Sequence, residues 1–419
     1  MRTNSDLDAS GKTIYGEEFL LAQALSLINF AKGSVAINGG FGYLDSDGSV
    51  NSDMPREAYV QCRMTQIFGL AHLLGLSDSK DLVDYGVESL LQLFQDASYG
   101  GFFNAIANDD LAIAGDKLAY DHMFVLLAAS TAKAVGSSQA DQLFAIIDGI
   151  IDQYFWDEEY SLMKNGWSQD FSHLYGYRGI NANMHAVEAL SAAYDVTGNE
   201  KFRDRAYRIC RRAVDEFARK NDWFLPEHFN QEWVPDLEFN VDNPADKFCP
   251  YGVTIGHLLE WSRLTLQIEI HMAGSSEDLS WMKPAAIDLY ATARKSGWAI
   301  DGTDGFVYTI GWDGKPIVRS RMHWVVAEAA MTAFTLWKIT GDDSYLLDHN
   351  QYWQFISDHH IDKVAGSWHH EISPDYQVSE GTWSGKPDVY HAFNACLLPL
   401  YSLDATFIGT ALKVNGARD

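Results

Sequence analysis

The sequence predicts an all-α protein, an (α/α)6 barrel of six helical hairpins with short β-hairpins in the long loops of one rim. Three observations predict it. Twelve stretches carry helical periodicity, the links between them alternate between short and long, and a polar residue near the start of every second helix recurs at a near-constant interval.

Taken in order, apolar periodicity and end signals place helices near 16–32, 55–75, 79–96, 118–135, 138–154, 182–197, 200–218, 253–273, 281–296, 322–340, 343–359 and 388–404. Gly33, Gly75 and Gly198 stand where a helix C-terminus favours glycine. Short links follow the second, fourth, sixth and tenth helices. The long links, 97–117, 155–181, 219–252, 297–321 and 360–387, carry glycine, tryptophan and short β-like runs. In GFVYTIGWDGKPIVR (305–319), Trp-Asp-Gly-Lys is a hairpin signal.

The recurring polar residues are Tyr59, His122, His185, His257, His323 and His391, which lie 63, 63, 72, 66 and 68 residues apart. Six units of that size span the chain, so 1–419 is expected to form one catalytic domain. Each unit is a helical hairpin, and six hairpins close into an inner and an outer layer. The inner helices then run parallel, and their N-termini share a rim with all the long loops, where function is expected. On that rim falls RGINANMHAVEAL (178–190), an otherwise apolar helix whose first turns carry Asn181, His185 and Glu188.

Composition narrows the function. The chain has 419 residues, 47% hydrophobic and 21% charged, ample for a large core. A formal charge of -26 repels nucleic acid and anionic membrane surfaces, so neither is expected as a partner. Cys62, Cys210, Cys249 and Cys396 are scattered without a CxxC pair, which suits a reducing compartment. MRTNSDLDASGKTIYGEEF lacks a basic-then-apolar leader, and no apolar run approaches the ~20 residues that span a bilayer. A soluble, cytoplasmic protein is expected. The oligomeric state is open, a homo-oligomer included.

Histidine is followed by glutamate one helical turn on in His185-Ala-Val-Glu188 and again in His257-Leu-Leu-Glu260, a spacing that puts both on one face. Three chemistries compete for this pattern. Metal binding resembles the ligand spacing of helical di-iron sites, but there is no HExxH and no cysteine cluster, so no metal is expected. A glycosidase needs two opposed carboxylates; Glu260 and Glu328 can be cast, which leaves the histidines idle. Proton transfer on a small polyol uses the histidines directly. Sugar-binding residue types accompany them: Trp312, Trp324 and Trp383 offer flat faces, and Arg63, Asn181 and Glu260 offer hydroxyl partners.

Five separated motifs carry a family resemblance: RGINANMHAVEAL, DNPADKFCPYGVTIGHLLEW (242–261), DGFVYTIGWDGKPIV (304–318), RMHWVVAEA (321–329) and GTWSGKPDVYHAF (381–393). Together they resemble the N-acylglucosamine 2-epimerase superfamily, and within it the aldose–ketose isomerase branch, over essentially the whole chain. The resemblance implies an (α/α)6 barrel that works without metal or organic cofactor. It assigns His257 to ring opening and proton transfer, and His391 to moving the proton between C1 and C2 through a cis-enediol. Arg63 is expected to bind substrate and stabilise the enediolate, with Asn181, His185, Glu260 and Trp324 at substrate-contacting or supporting positions; Trp383 completes the expected sugar site.

Two departures bear on the substrate. Members of the branch acting on sulfoquinovose carry glutamines near the positions of His370 and Pro387, and Lys247 stands where relatives usually carry arginine. The expected activity is therefore interconversion of D-mannose and D-fructose, with D-lyxose and D-xylulose alongside. The alternatives are a 2-epimerase of free or disaccharide aldoses, a sulfoquinovose isomerase, a glycosidase and a non-catalytic sugar-binding protein. His122, His323 and Glu328 have no assigned role at this level.

Overall fold

The computed structural model describes residues 15–107, 112–401 and 406–416. Six inner helices form a closed ring in the order α2 (Ala58–Leu73), α4 (Ala119–Val135), α6 (Ile180–Thr197), α8 (Ile255–His271), α10 (His323–Thr340) and α12 (Tyr390–Leu400), with α12 returning to α2. The outer helices are α1 (Glu17–Ala31), α3 (Lys80–Ser89), α5 (Ala140–Ile150), α7 (Glu200–Cys210), α9 (Met282–Gly297) and α11 (Asp343–Phe355). Each of α3 to α11 packs on the inner helix before it, and α1 packs on α12 and α2. The architecture is the (α/α)6 barrel.

Burial explains the two layers. In α2 every residue but His72 is buried, as an inner helix packed on all sides requires. In α3 only Val83, Gly86, Val87 and Ser89 are buried, a stripe continued by Leu90 in the π-helical turn Leu90–Phe94. Similar π turns end α5, α7 and α11.

The rim is stitched by two-residue strands. Arg56–Glu57 pairs with Ala105–Ile106, Lys117–Leu118 with Gly166–Trp167, Arg178–Gly179 with His228–Phe229, Val253–Thr254 with Thr309–Ile310, and Arg321–Met322 with Glu371–Ile372, all antiparallel. Each first partner leads directly into an inner helix. The first amide of that helix, which has no partner within it, donates to a carbonyl of the next loop: Ala58 to Asn104, Ala119 to Asn165, Ile180 to Glu227, Ile255 to Tyr308 and His323 to His370. These five acceptor residues occupy one repeated position.

The loops are also clamped by charge. Asp96, Asp301 and Asp362 each accept a backbone N–H two residues on and each binds a buried cation from the segment entering an inner helix. The pairs are Asp96–Lys117 at 2.8 Å, Asp301–Arg321 at 2.6 Å and Asp362–Lys386 at 2.6 Å. Burial alone raises the Asp362 carboxyl, but Lys386 and the Ala365 and Val364 amides outweigh it and bring it down to about 2. That stabilisation is present above the ordinary carboxylate value and is lost as pH falls through about 2. Lys386→Met leaves Asp362 without its cation and is expected to destabilise the fold by roughly 3 kcal/mol at neutral pH, measured by denaturant unfolding. The penalty relative to the wild type shrinks once acid protonates Asp362.

The structure corrects several expectations. A thirteenth helix, α13 (Phe407–Gly416), packs against α2, α4 and α6. The twelfth ends at Leu400 rather than 404, within the turn that follows Pro399. Gly75 and Gly198 adopt the left-handed conformation that ends a helix, but Gly33 lies inside a 3-10 turn, Lys32–Ser34, that prolongs α1. The 305–319 hairpin is present, with Thr309–Ile310 paired to Pro316–Val318. Among the described residues, no helix is long and apolar enough to cross a membrane.

Candidate active site

The inner-helix N-termini open on a cavity of about 550 Å3. Arg63 comes from α2, Asn181 and His185 from α6, His257 and Glu260 from α8, Trp324 from α10 and His391 from α12; Trp383 comes from the loop before α12. These eight residues, expected from the sequence to carry the proton transfers or hold the sugar, line this one space.

His257 and His391 have matching surroundings. The Nδ1 of His257 donates to Glu227 Oε1 at 2.9 Å, and the Nδ1 of His391 donates to Glu328 Oε1 at 3.0 Å. A hydrogen held on Nδ1 leaves the lone pair on Nε2, the nitrogen open to the cavity. Trp324 lies between the two rings, 5.4 Å from His257 and 5.7 Å from His391 by centroids. It can lie there because residue 256 is glycine: a Cβ on Gly256 would come within 2.2 Å of the indole. The same Cβ would meet Val325 Cγ2 at 2.9 Å, so Gly256→Ala is expected to push Trp324 into the cavity, lower kcat/KM by about 10-fold or more and destabilise the fold by about 1–3 kcal/mol, measured by steady-state kinetics beside a thermal melt.

Arg63 is buried, yet it stays charged. Burial opposes the guanidinium, but Tyr120, Asp388 and Tyr390 outweigh it and hold it above its usual value. Its fork donates to Asp388 and to the Tyr120 hydroxyl, each at 3.1 Å. Its face lies on Phe124 at 4.7 Å, Tyr390 at 4.9 Å and Tyr59 at 5.1 Å. The charge is thus fixed in orientation.

A second charged layer supports the cavity floor. Arg263 lies 2.9 Å from Glu328 and 3.8 Å from Glu260. Burial, then the Glu328 charge, pushes Glu260 well above the carboxylate range and favours its protonated, hydrogen-bond-donating form. His185 is driven the other way: burial outweighs Glu188 and lowers it to about 4, so a neutral imidazole faces the cavity. Side-chain atoms of His185, Glu188 and Glu260 lie within 4.8 Å of one another, as do those of Glu260, Glu328 and His391, close enough to hold a metal ion. Arg263, salt-bridged to Glu328, already supplies a cation to the second group.

Several expectations change. Glu188 does not face the mouth; it lies a turn below His185 and accepts a short hydrogen bond from Tyr390. His122 is buried away from the cavity, where its Nε2 accepts the Phe102 amide, and its role is to hold a loop. Trp312 sits outside the cavity and donates to the Leu237 carbonyl. Glu260 and Glu328 do not oppose each other across a sugar-sized gap, since their oxygens lie within 4.8 Å, closer than either glycosidase geometry requires. His323 does reach the cavity, stacked on His370 at 3.8 Å, with its buried Nε2 unpartnered.

Other lining or supporting residues had little signal in the sequence. Glu227 comes from a loop thirty positions before His257. Tyr120 sits two residues before the wrongly placed His122. Asp388 lies inside the GTWSGKPDVYHAF motif, where nothing local in the sequence marks it as a partner of Arg63. Lys247 is 3.6 Å from Glu57 and rests among the rings of Trp383 (4.6 Å), Phe248, Tyr59 and Tyr43, which fix the loop it belongs to.

Known proteins place this arrangement. A D-mannose isomerase of Thermobifida fusca is 40% identical over 398 residues, 95% of this chain and 97% of that protein. One from Pseudomonas cannabina pv. alisalensis is 39% identical over 92% of this chain and 93% of its own. A crystal structure of D-mannose isomerase superposes with a TM-score of 0.85 at 28% identity, covering 92% of this chain and 98% of that one. The family model of N-acylglucosamine 2-epimerase matches residues 39–395. The chain belongs to the N-acylglucosamine 2-epimerase family.

Proposed function

We propose that the protein is a metal-independent aldose–ketose isomerase that interconverts D-mannose and D-fructose, with residues 1–419 acting as a single catalytic domain. The observation that carries the proposal is the pair of glutamate-held histidines facing each other past Trp324. Two bases with Nε2 open to one cavity suit a reaction whose steps are proton transfers to and from carbon and oxygen.

In this account His257 assists opening of the sugar ring by shuttling the proton between the ring oxygen and the C1 hydroxyl. His391 removes the proton from C2, and the electrons pass to the C1 aldehyde oxygen. The resulting enediolate is negatively charged, and Arg63 faces it with a fixed cation. The O2 hydroxyl proton passes to O1, the proton held on His391 returns to C1, and the O2 electrons form the C2 carbonyl. Protonated Glu260, neutral His185 and Asn181 hold hydroxyl groups, while Trp324 and Trp383 cover the C–H faces. D-Lyxose, which matches mannose from C1 to C4, is the expected second substrate. A cytoplasmic setting belongs to the proposal, and the four free cysteines suit a reducing compartment.

Proton NMR of the protein with D-mannose and excess EDTA tests this directly. Fructose is the expected first product. Glucose as first product would make the protein an epimerase, and no product from mannose, lyxose or fructose would overturn the isomerase proposal.

A further inference from the structure

The five residues whose carbonyls receive an inner helix's first amide are Asn104, Asn165, Glu227, Tyr308 and His370. At the last three, the side chain reaches toward the following inner helix. Glu227 holds His257 of α8, Tyr308 meets Trp324 of α10 edge to face at 6.1 Å between centroids, and His370 bonds the carbonyl of Asp388, just before α12. Glu227 thus supports a base, and His370 closes on the residue that holds Arg63. Tyr308 belongs to the motif DGFVYTIGWDGKPIV (304–318), yet the steps assigned to His257, His391 and Arg63 do not use it.

Tyr308 is built as a fixed donor. Its amide donates to the Val318 carbonyl at 2.9 Å and its carbonyl accepts the Ile255 amide at 3.2 Å, so its backbone is held on both sides. Trp324 packs against the ring, and only 3% of the residue is exposed. Tyr308 lines the catalytic cavity beside His257 and Pro250. Its hydroxyl forms no hydrogen bond among the described residues and is not sealed within the protein, so its open side is the cavity. Burial, then the charge of Glu227, raises the phenol above its usual value, and it keeps its proton. The hydroxyl lies on the His257 side of the cavity. Glu227, the carboxylate that holds His257, exerts the strongest charge on it, and Ile255, bonded to Tyr308, stands just before Gly256 and His257.

On that side the proposed reaction places two oxygens, O1 and the ring oxygen, between which His257 moves a proton. O1 turns to the cation of Arg63 as the enediolate forms. The ring oxygen remains, and it becomes the C5 hydroxyl once the ring opens. We propose that the Tyr308 hydroxyl donates to this oxygen and so holds the C5 end of the open chain while His391 works at C2. Tyr308 keeps its own proton throughout; the proton that reaches the ring oxygen is the one His257 takes from O1. The choice of oxygen rests on the isomerase reading, whereas a hydroxyl contact at Tyr308 does not. A fixed donor discriminates against a ligand that lacks the matching oxygen.

Tyr308→Phe deletes the hydroxyl and keeps the ring against Trp324; Tyr308→Leu deletes both. Thermal melts show whether each variant folds. Steady-state kinetics compare D-mannose, D-lyxose, which has the C5 oxygen but no C6, and D-glyceraldehyde, which ends at C3. Titration calorimetry with D-mannitol, an open chain that does not react, reads the contact without turnover. Tyr308→Phe is expected to share the wild-type Tm and to lower kcat/KM about 10-fold on mannose and on lyxose, but less than about 2-fold on glyceraldehyde. Its mannitol binding is expected to weaken about 10-fold. Tyr308→Leu, which frees Trp324, is expected to lose activity on glyceraldehyde as well. Unchanged mannose and lyxose kinetics in Tyr308→Phe would overturn the proposal. So would a loss confined to mannose, which puts the contact at C6, an equal loss on all three sugars, or equal mannitol affinity. A wild type that turns over none of the sugars, yet binds mannitol more tightly than Tyr308→Phe, would sink the isomerase reading and leave the contact standing.

Discussion

His391→Ala is expected to lower kcat for mannose–fructose interconversion by roughly 10²–10⁴-fold, with KM little changed and the fold intact. The side chain contributes the base: it touches the cavity, and its support, Glu328, is also held by Arg263 at 2.9 Å. Removing the imidazole therefore does not leave Glu328 without a cation. His257→Ala is expected to be impaired on ring-closed sugar to a similar degree. The two variants separate on a substrate that needs no ring opening. D-Glyceraldehyde, too short to close a sugar ring and converted to dihydroxyacetone, should be spared in His257→Ala and remain slow in His391→Ala. Steady-state kinetics on both substrates measures this, and equal losses on both would mean that the two histidines share one role.

Arg63→Lys is the second large effect, an expected fall in kcat of about 10²–10³-fold with the charge retained. Lysine keeps the cation but cannot reproduce a planar fork that donates to Asp388 and Tyr120 while its face rests on three aromatic rings. The variant thus separates charge from orientation. A modest KM change with a large kcat loss marks an interaction made mainly in the transition state. A purely structural role for Arg63 predicts instead a loss of Tm in proportion to the loss of activity.

The fold was legible because its repeat leaves a trace that does not depend on helix boundaries. One long loop and one helical hairpin recur every 63 to 72 residues, and only a ring of six such units uses the whole chain. The markers themselves were not equivalent, however. Tyr59 is the second residue of α2, His122 the fourth of α4, His185 the sixth of α6 and His323 the first of α10. At 3.6 residues per turn these offsets point in different directions, which is why His122 turns away from the mouth and holds Phe102 instead.

The true structural repeat lies one step earlier, in the two-residue strands and the carbonyls of Asn104, Asn165, Glu227, Tyr308 and His370 that receive each helix's first amide. Strands this short have no periodicity to read, and their partners lie in the following unit. Glu227 was hidden for the same reason: it meets His257 through the ladder that pairs Arg178–Gly179 with His228–Phe229, not through any spacing on a helix. Asp388 was hidden differently. In sequence it looks like a residue starting α12, and it does accept the Tyr390 amide, but its other oxygen binds Arg63 across 325 positions.

In the proposed reaction histidine moves a proton, not a hydride, between C1 and C2. Incubating wild-type protein with D-mannose in D2O well past equilibrium tests it. A proton carried on an imidazole exchanges with solvent in a fraction of turnovers, so deuterium is predicted to accumulate at C1 of fructose and at C2 of mannose, and both product and label should form roughly 10²–10⁴-fold more slowly in His391→Ala. Full equilibration of the two sugars with no deuterium at either carbon would contradict the account.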